Sequence, residues 1–255
     1  MNRVLTLYKP VGATPLDVLY ELQERNPGYK DVRLAYAGRL DPMAEGLLLV
    51  LVGDECKRRD HYQKLDKIYE FEVLFGVSTD TYDILGKITS TKHQIPNNLI
   101  LQIKKIIPEF IGEHDQPYPP YSAARVNGKP LYWWARQGRI DECNIPSKRV
   151  NIYDLKFKGY EEKTTKELET FVVSRINKVK GDFRQNEIKK DWDTFFKKYM
   201  DQSFVTASFT IHCSSGTYVR SLAHEMGLEL GVRGIALQIK RKKIGTFFKE
   251  DNQEV

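Results

Sequence analysis

Alternation of apolar and polar residues marks two strands at opposite ends of the chain. In YEFEVLFGV, Tyr69, Phe71, Val73 and Phe75 fall on one face and Glu70 and Glu72 on the other, the two-residue period of a half-buried strand. The same period returns in VTASFTIHC, where Val205, Ala207, Phe209, Ile211 and Cys213 oppose Thr206, Ser208, Thr210 and His212. A helical period follows at once. Val219, Leu222, Ala223, Met226 and Leu230 form one stripe of an amphipathic helix that Gly231 can end. Near the N-terminus, Val4, Leu5 and Leu7 read as a short strand. Thr14 and Pro15 then supply an N-cap and first-turn proline for a helix presenting Leu16, Leu19 and Leu22, closed at Asn26-Pro27-Gly28. Strands at both ends with helices between, and no regular βαβ alternation, predict an α+β fold: a mixed, mostly antiparallel sheet flanked by helices and loops.

Two stretches interrupt this pattern. Residues 116–149 are rich in Pro, Tyr, Trp and Arg, and residues 161–202 in Lys, Glu and Asp. The second reads as a helical segment whose mixed charges form a solvated surface, with a nucleic-acid contact as the alternative. The 255 residues, 41% hydrophobic and 29% charged, suit one domain spanning 1–255 and exclude disordered and collagenous classes. The aliphatic run Leu47–Val52 is far shorter than the roughly 20 residues of a spanning helix, and nothing after Met1 resembles an export signal. A cytoplasmic protein without membrane contact is expected.

Cys56, Cys143 and Cys213 are far apart and unpaired in sequence, the five histidines lack ligand spacing, and no Gly-rich phosphate loop occurs. Neither a metal nor an organic cofactor is expected. The 40 Lys and Arg against 34 acidic residues leave a net charge of +6, which permits a polyanionic partner.

Three candidates for chemistry stand out. Asp41-Pro42, ahead of a strongly apolar run, suits a helix cap or turn start, and equally an acid presented from a rigid support. Arg220 sits near the positive end of its helix, where a cation is disfavoured by roughly 0.3–1 kcal/mol unless a carboxylate offsets it; Asp41 is the candidate partner, and a side chain that simply reaches to solvent is the alternative. Tyr69 opens its strand behind Lys57, Arg58, Arg59, His61, Lys64 and Lys67, an aromatic ring beside a basic stripe. Such a pairing can stack on a base and neutralise phosphates, or the ring can simply pack in the core. Residues 116–149 interleave Tyr118, Tyr121, Trp133 and Trp134 with Arg125, Lys129, Arg136 and Arg139 in the same manner. A glycoside hydrolase would need a second acid near Asp41, and none is evident.

In their order along the chain, from Lys9 to Phe247, these segments resemble the TruB family of pseudouridine synthases. The pieces are Lys9-Pro10-Val11-Gly12, GRLDP with the GLLL run, Lys67-Ile68-Tyr69, PPYSAARVNGKPLYWWARQGR, CSSGTYVRSLAHEMGLELG and IKRKKIGTF. The resemblance implies the pseudouridine synthase catalytic fold and the isomerisation of a uridine in RNA: the uracil leaves C1′, turns, and rejoins through C5, without metal or cofactor. By that likeness Asp41 is the catalytic carboxylate, nucleophile at C1′ or base at C2′. Tyr69 stacks on the flipped base, Arg220 holds Asp41, and Tyr218 and Ile239 line the uracil pocket. Residues 116–149 resemble an RNA-gripping thumb that supplies Arg125, Lys129 and Arg136, while Lys9, Lys57, Arg58 and Arg59 are expected along the RNA path.

The implied substrate is the loop uridine of the transfer RNA T arm, with RNA as partner and no obligate protein partner. Two alternatives accompany it: an RsuA/RluA-like synthase acting on ribosomal RNA, suggested by GRLD-x-x-x-x-GLLL, and a non-catalytic RNA-binding or folding module. Departures from the family pattern set further expectations. Tyr36 stands where the family has a histidine, five residues before Asp41, and is placed among the substrate-binding residues as a ring that can wedge or stack. Arg125 replaces a lysine, keeping charge but not geometry. The end of the chain soon after Phe247 points to a short form without the C-terminal PUA-type domain, and the 161–202 insertion to a partial substitute for its RNA contacts.

Overall fold

The computed structural model describes residues 4–92 and 95–248; His93 lies outside them. β1 (Val4–Lys9) leads into α1 (Pro15–Arg25), whose start is closed by a capping box. The Thr14 hydroxyl accepts from the Asp17 N–H at 3.2 Å, and the Asp17 carboxylate accepts from the Thr14 N–H at 2.6 Å. Val18, Leu19 and Leu22 form the buried stripe, while Leu16, expected on that face, is 45% exposed. At about 100° per residue Leu16 lies more than a quarter-turn from the stripe's centre.

β2 (Leu34–Ala37) and β3 (Ala44–Val52) form an antiparallel pair whose connecting turn carries Asp41. The Ala44 N–H donates to the Asp41 carbonyl at 3.0 Å, so Asp41 starts a turn, and the apolar run behind it is a strand rather than the capped helix entertained above. It is buried on both faces: Leu47, Leu49 and Leu51 pack toward Tyr62, and Leu48 and Val50 toward α1. α2 (Arg59–Gln63) precedes β4 (Lys67–Phe75), and β5 (Val77–Thr79) with β6 (Ile88–Thr91) makes a small hairpin. α3 (Leu99–Ile106) and β7 (Gly112–Pro117) follow.

The aromatic, basic stretch leaves the sheet only between 118 and 146, because Asp115, Gln116 and Pro117 pair with Arg149, Lys148 and Ser147. This arch holds the short strands β8 (Arg125–Val126) and β9 (Lys129–Pro130) and the helix α4 (Leu131–Arg136). β10 (Ser147–Thr164) returns, followed by α5 (Thr165–Asn177), α6 (Gln185–Lys198), β11 (Ser203–Cys213), α7 (Val219–Glu229), β12 (Gly234–Ile244) and β13 (Phe247–Phe248).

The main sheet runs β1-β3-β12-β4-β11-β10-β7, with β2 on β3 and β13 on β12; β3 and β12 are its parallel pair among the described strands. Tyr69, Phe71, Val73 and Phe75 of β4 face a core shared with α3 and α7. The half-buried strand expected there is covered on both faces over its second half. Leu74 packs with Leu168, Val172, Trp192 and Phe204, and Glu72 is buried against the Gln238 side-chain amide, 2.9 Å away. The charged 161–202 stretch explains this. Its helices present Leu168, Val172 and Ile176, and Ile188, Trp192 and Phe195, to the sheet, leaving only their outer faces to solvent. Residues 161–164 belong to β10.

Candidate active site

A cleft of about 690 Å³ opens where the Asp41 turn, β4, β12 and the start of α7 converge under the arch. Seven lysines and arginines line it against two aspartates. Asp41, Arg59, Tyr69, Tyr218, Arg220 and Ile239, all singled out from the sequence, are brought together there.

Arg220 and Asp41, 179 residues apart in the chain, meet at 2.7 Å between guanidinium Nε and carboxylate Oδ2. The guanidinium is 5% exposed and the carboxylate 41%, so the pair has a buried back and an open front. The other guanidinium nitrogens of Arg220 donate to the Thr81 and Tyr121 carbonyls, and the Asp83 carboxylate lies 3.7 Å away. Burial opposes the charge on Arg220, but Asp41 and Asp83 outweigh it and raise its pKa. Burial pushes the Asp83 carboxyl up to about 6 against the pull of Arg220; the Thr81 hydroxyl and the Leu85 N–H donate to it at 2.7 and 2.9 Å. Sequence reasoning missed this second acid. The available signal was the polar run Ser78–Asp83, which follows a buried strand and is itself largely buried.

Arg241, also missed, holds the turn that presents Asp41. Its guanidinium donates to the carbonyls of Leu47, Arg39 and Gly38 at 2.7, 3.1 and 3.3 Å. This needs β3 and β12 very close: a Cβ on Gly46, whose φ is +116°, would fall 2.3 Å from the Arg241 carbonyl oxygen. Tyr69 forms the cleft floor beside Arg241, and its hydroxyl pKa is raised by burial. Lys67 donates to the Gln63 carbonyl at 2.7 Å and to that of Leu65; burial and then Arg241 lower its pKa to about 8. Tyr218 stands at the N-cap of α7, its pKa pushed up to about 12 by burial and the nearby Asp41.

Other expected contacts fall elsewhere. Lys9 is fully buried and donates to the Pro10 and Ala13 carbonyls at 2.9 and 2.8 Å. Its ammonium closes the β1–α1 connection from inside and has no surface to offer RNA, which corrects its placement on the RNA path. Tyr36 is absent from the cleft lining; it packs on the α1 side of the sheet, and Arg59 lies over its ring at 5.3 Å. Only Arg59 of the basic triplet enters the cleft. Lys57 and Arg58 are exposed beside it, paired with Asp54 and Glu55 at 2.8 and 2.9 Å. On the arch, Arg125 donates to the Gly128 carbonyl at 3.2 Å and Lys129 lies 5.5 Å from the Trp133 ring centre. Arg136 pairs with Asp182 at 2.8 Å, lining a second hollow of about 330 Å³ behind Asp41 and Arg220. Among the described residues, no group of three His, Cys, Asp or Glu is placed to hold a metal ion.

A solved Cbf5-Nop10-Gar1 complex superposes with a TM-score of 0.59 at 18% identity, covering 97% of this chain and 50% of that one. An H/ACA RNP bound to a substrate RNA containing 2′-deoxyuridine gives 0.55 at 18%, covering 97% and 49%. Both share the fold. In sequence, the chain is 32% identical over 248 residues to tRNA pseudouridine synthase B of Thermosipho melanesiensis, covering 97% of this chain and 65% of that protein. It is 30% identical over 255 residues to the protein of that name from Clostridium novyi, covering 100% and 71%. The chain thus spans about two thirds of the length of these relatives. Residues 27–183 match the model of the TruB family pseudouridylate synthase N-terminal domain. The chain belongs to the TruB family.

Proposed function

We propose that this chain isomerises the loop uridine of the transfer RNA T arm to pseudouridine, with Asp41 acting on the ribose. The observation that carries the reading is the 2.7 Å contact by which buried Arg220 holds a solvent-open Asp41 at the mouth of a cationic cleft. When the uracil leaves C1′ it takes the bonding pair, and the sugar carbon becomes electron-poor. A carboxylate can bond that carbon or take the C2′ proton, and either role needs an oxygen free to meet the ribose. Rejoining through C5 then releases the C5 proton. Tyr69 offers its ring to the flipped base and Ile239 closes the pocket beside it, while Arg39, Arg59, Lys64 and Lys148 surround the mouth as phosphate partners.

The relatives' name directs the substrate choice to transfer RNA. RNA is the partner in this reading, with no obligate protein partner. No helix of the described residues is long and apolar enough to cross a membrane, and a cytoplasmic setting belongs to the proposal.

The test is hydrogen release from C5-labelled uridine in a tRNA transcript by the isolated chain. Asp41→Asn should lower release by at least about 10³-fold while RNA binding persists. Tight binding without release by the parent chain would make it a non-catalytic module. Release from ribosomal RNA alone would move the target to the RsuA/RluA-like alternative.

A further inference from the structure

The segment that delivers Arg220 to Asp41 is held mainly from outside its own helix. α7 starts at Val219 with Tyr218 as N-cap, and no side chain caps it from within. The first N–H groups of a helix require partners, and an end left without them is free to fray or turn. Gln116 supplies one to the N-cap residue from the last paired residues of β7. Its side-chain oxygen accepts from the Tyr218 N–H at 2.8 Å, and its amide nitrogen donates to the Tyr218 carbonyl at 3.2 Å. Gln116 is only 2% exposed, its side chain also offers a hydrogen bond to Glu225 about two turns further along α7, and its sheet partner Lys148 donates to the Ser215 carbonyl at 3.0 Å. Tyr118, the first residue of the arch, sets its ring edge-on to that of Tyr218 at 5.7 Å. The foot of the arch therefore grips Tyr218 by backbone and ring, two residues before the guanidinium that meets Asp41.

We propose that Gln116 is a positioning residue of the reaction: by fixing the Tyr218 backbone from the foot of the arch, it sets the place from which Arg220 holds Asp41. The inference rests on the isomerase reading above. A displacement of about 1 Å in a catalytic group can cost about 10²-fold in rate, so loosening the first turn of α7 should act on turnover rather than on RNA capture.

Gln116→Met keeps the side-chain size and removes both hydrogen bonds. In the labelled-uridine assay it should lower kcat by about 10- to 100-fold, with KM and the RNA Kd within about twofold of the parent. Gln116→Glu keeps the acceptor for the Tyr218 N–H but sets a carboxylate against Glu225. Adding Glu225→Gln relieves the carboxylate repulsion and restores a donor–acceptor pair between the two side chains, but leaves the Tyr218 carbonyl without its donor, so it should recover part, not all, of the kcat lost by Gln116→Glu. Parental kcat in Gln116→Met, a loss confined to KM and Kd, or an exchange without recovery would each overturn the proposal. Should Gln116→Met fail to fold, the exchange decides alone, recovery supporting the proposal and its absence refuting it. An inactive parent chain refutes the isomerase reading instead, whereas an active parent with an indifferent Gln116 refutes only this inference.

Discussion

The wall of the cleft that carries Asp41 and the wall made by the arch hold their side chains in opposite ways. On the first, Arg220, Asp83, Lys67 and Arg241 are buried and tied to backbone carbonyls, N–H groups or one another. On the second, the arch lines the cleft with Tyr121, Ser122, Ala123 and Tyr132, while its cations Arg125, Lys129 and Arg136 stand outside that lining and exposed, held by contacts to a carbonyl, a ring and a surface aspartate, and Leu131 is the arch's fully buried apolar side chain. A buried charge is fixed in place by the groups that must compensate it, whereas an exposed one is free to follow a partner. In the proposed reading, chemistry belongs to the wall whose geometry folding has already settled, and adaptation to a large RNA to the wall that folding leaves loose.

Arg220→Met should break the comparison most visibly. It leaves Asp83 buried without its cation, and removing one partner of a buried pair costs about 3–5 kcal/mol. Denaturant unfolding should show that loss together with a fall in turnover of about 10³-fold. Arg136→Met on the arch, which breaks an exposed pair, should change stability by no more than about 0.5 kcal/mol. Equal losses in the two variants would erase the distinction between the walls.

A finer division runs through the basic triplet. Arg59→Ala should lower the slope of log Kd against log salt by about one phosphate contact, and Lys57→Ala should leave it unchanged, because only Arg59 faces the cleft. Binding titrations at several salt concentrations decide this, and a reversed order would shift the RNA path onto the exposed side of the triplet.

The smallest effect concerns Glu225, behind the settled wall. Burial pushes its carboxyl from the ordinary 4.5 to about 7, so between those values the folded protein retains a proton that the unfolded chain has released. Its contribution to stability is therefore undiminished below pH 4.5, falls as pH rises toward 7 and changes no further above. Glu225→Gln, neutral throughout, should gain thermal stability over the parent across that window and show no growing advantage below it. A gap of the same size at pH 4 and pH 8 would exclude titration of Glu225 as its source.

Periodicity alone was enough to place β4, β11 and α7, since the pattern of each is local. It failed where one element is covered twice. The second face of β4 is hidden by α5 and α6, whose apolar stripes are diluted by Lys, Glu and Asp in a linear reading. The Asp41 turn was ambiguous between cap and turn because a buried strand and a buried helix begin with the same apolar run. Asp83 escaped because it belongs to no periodic segment, and its importance comes entirely from lying beside Arg220.

The sequence by itself determined the local periods, the ordered motifs that resemble one family, and the chemical types available: a carboxylate, a guanidinium, a ring and many cations. Tertiary structure decided which of those cations are buried struts and which face the cleft, as the contrast between Lys9 and Arg59 shows. It also brought Asp41, Asp83 and Arg220 together and left Tyr36 outside. The physical reason is that periodicity follows from the geometry of neighbouring residues, whereas burial and pairing of charge depend on segments more than a hundred residues away that only the folded sheet brings into contact.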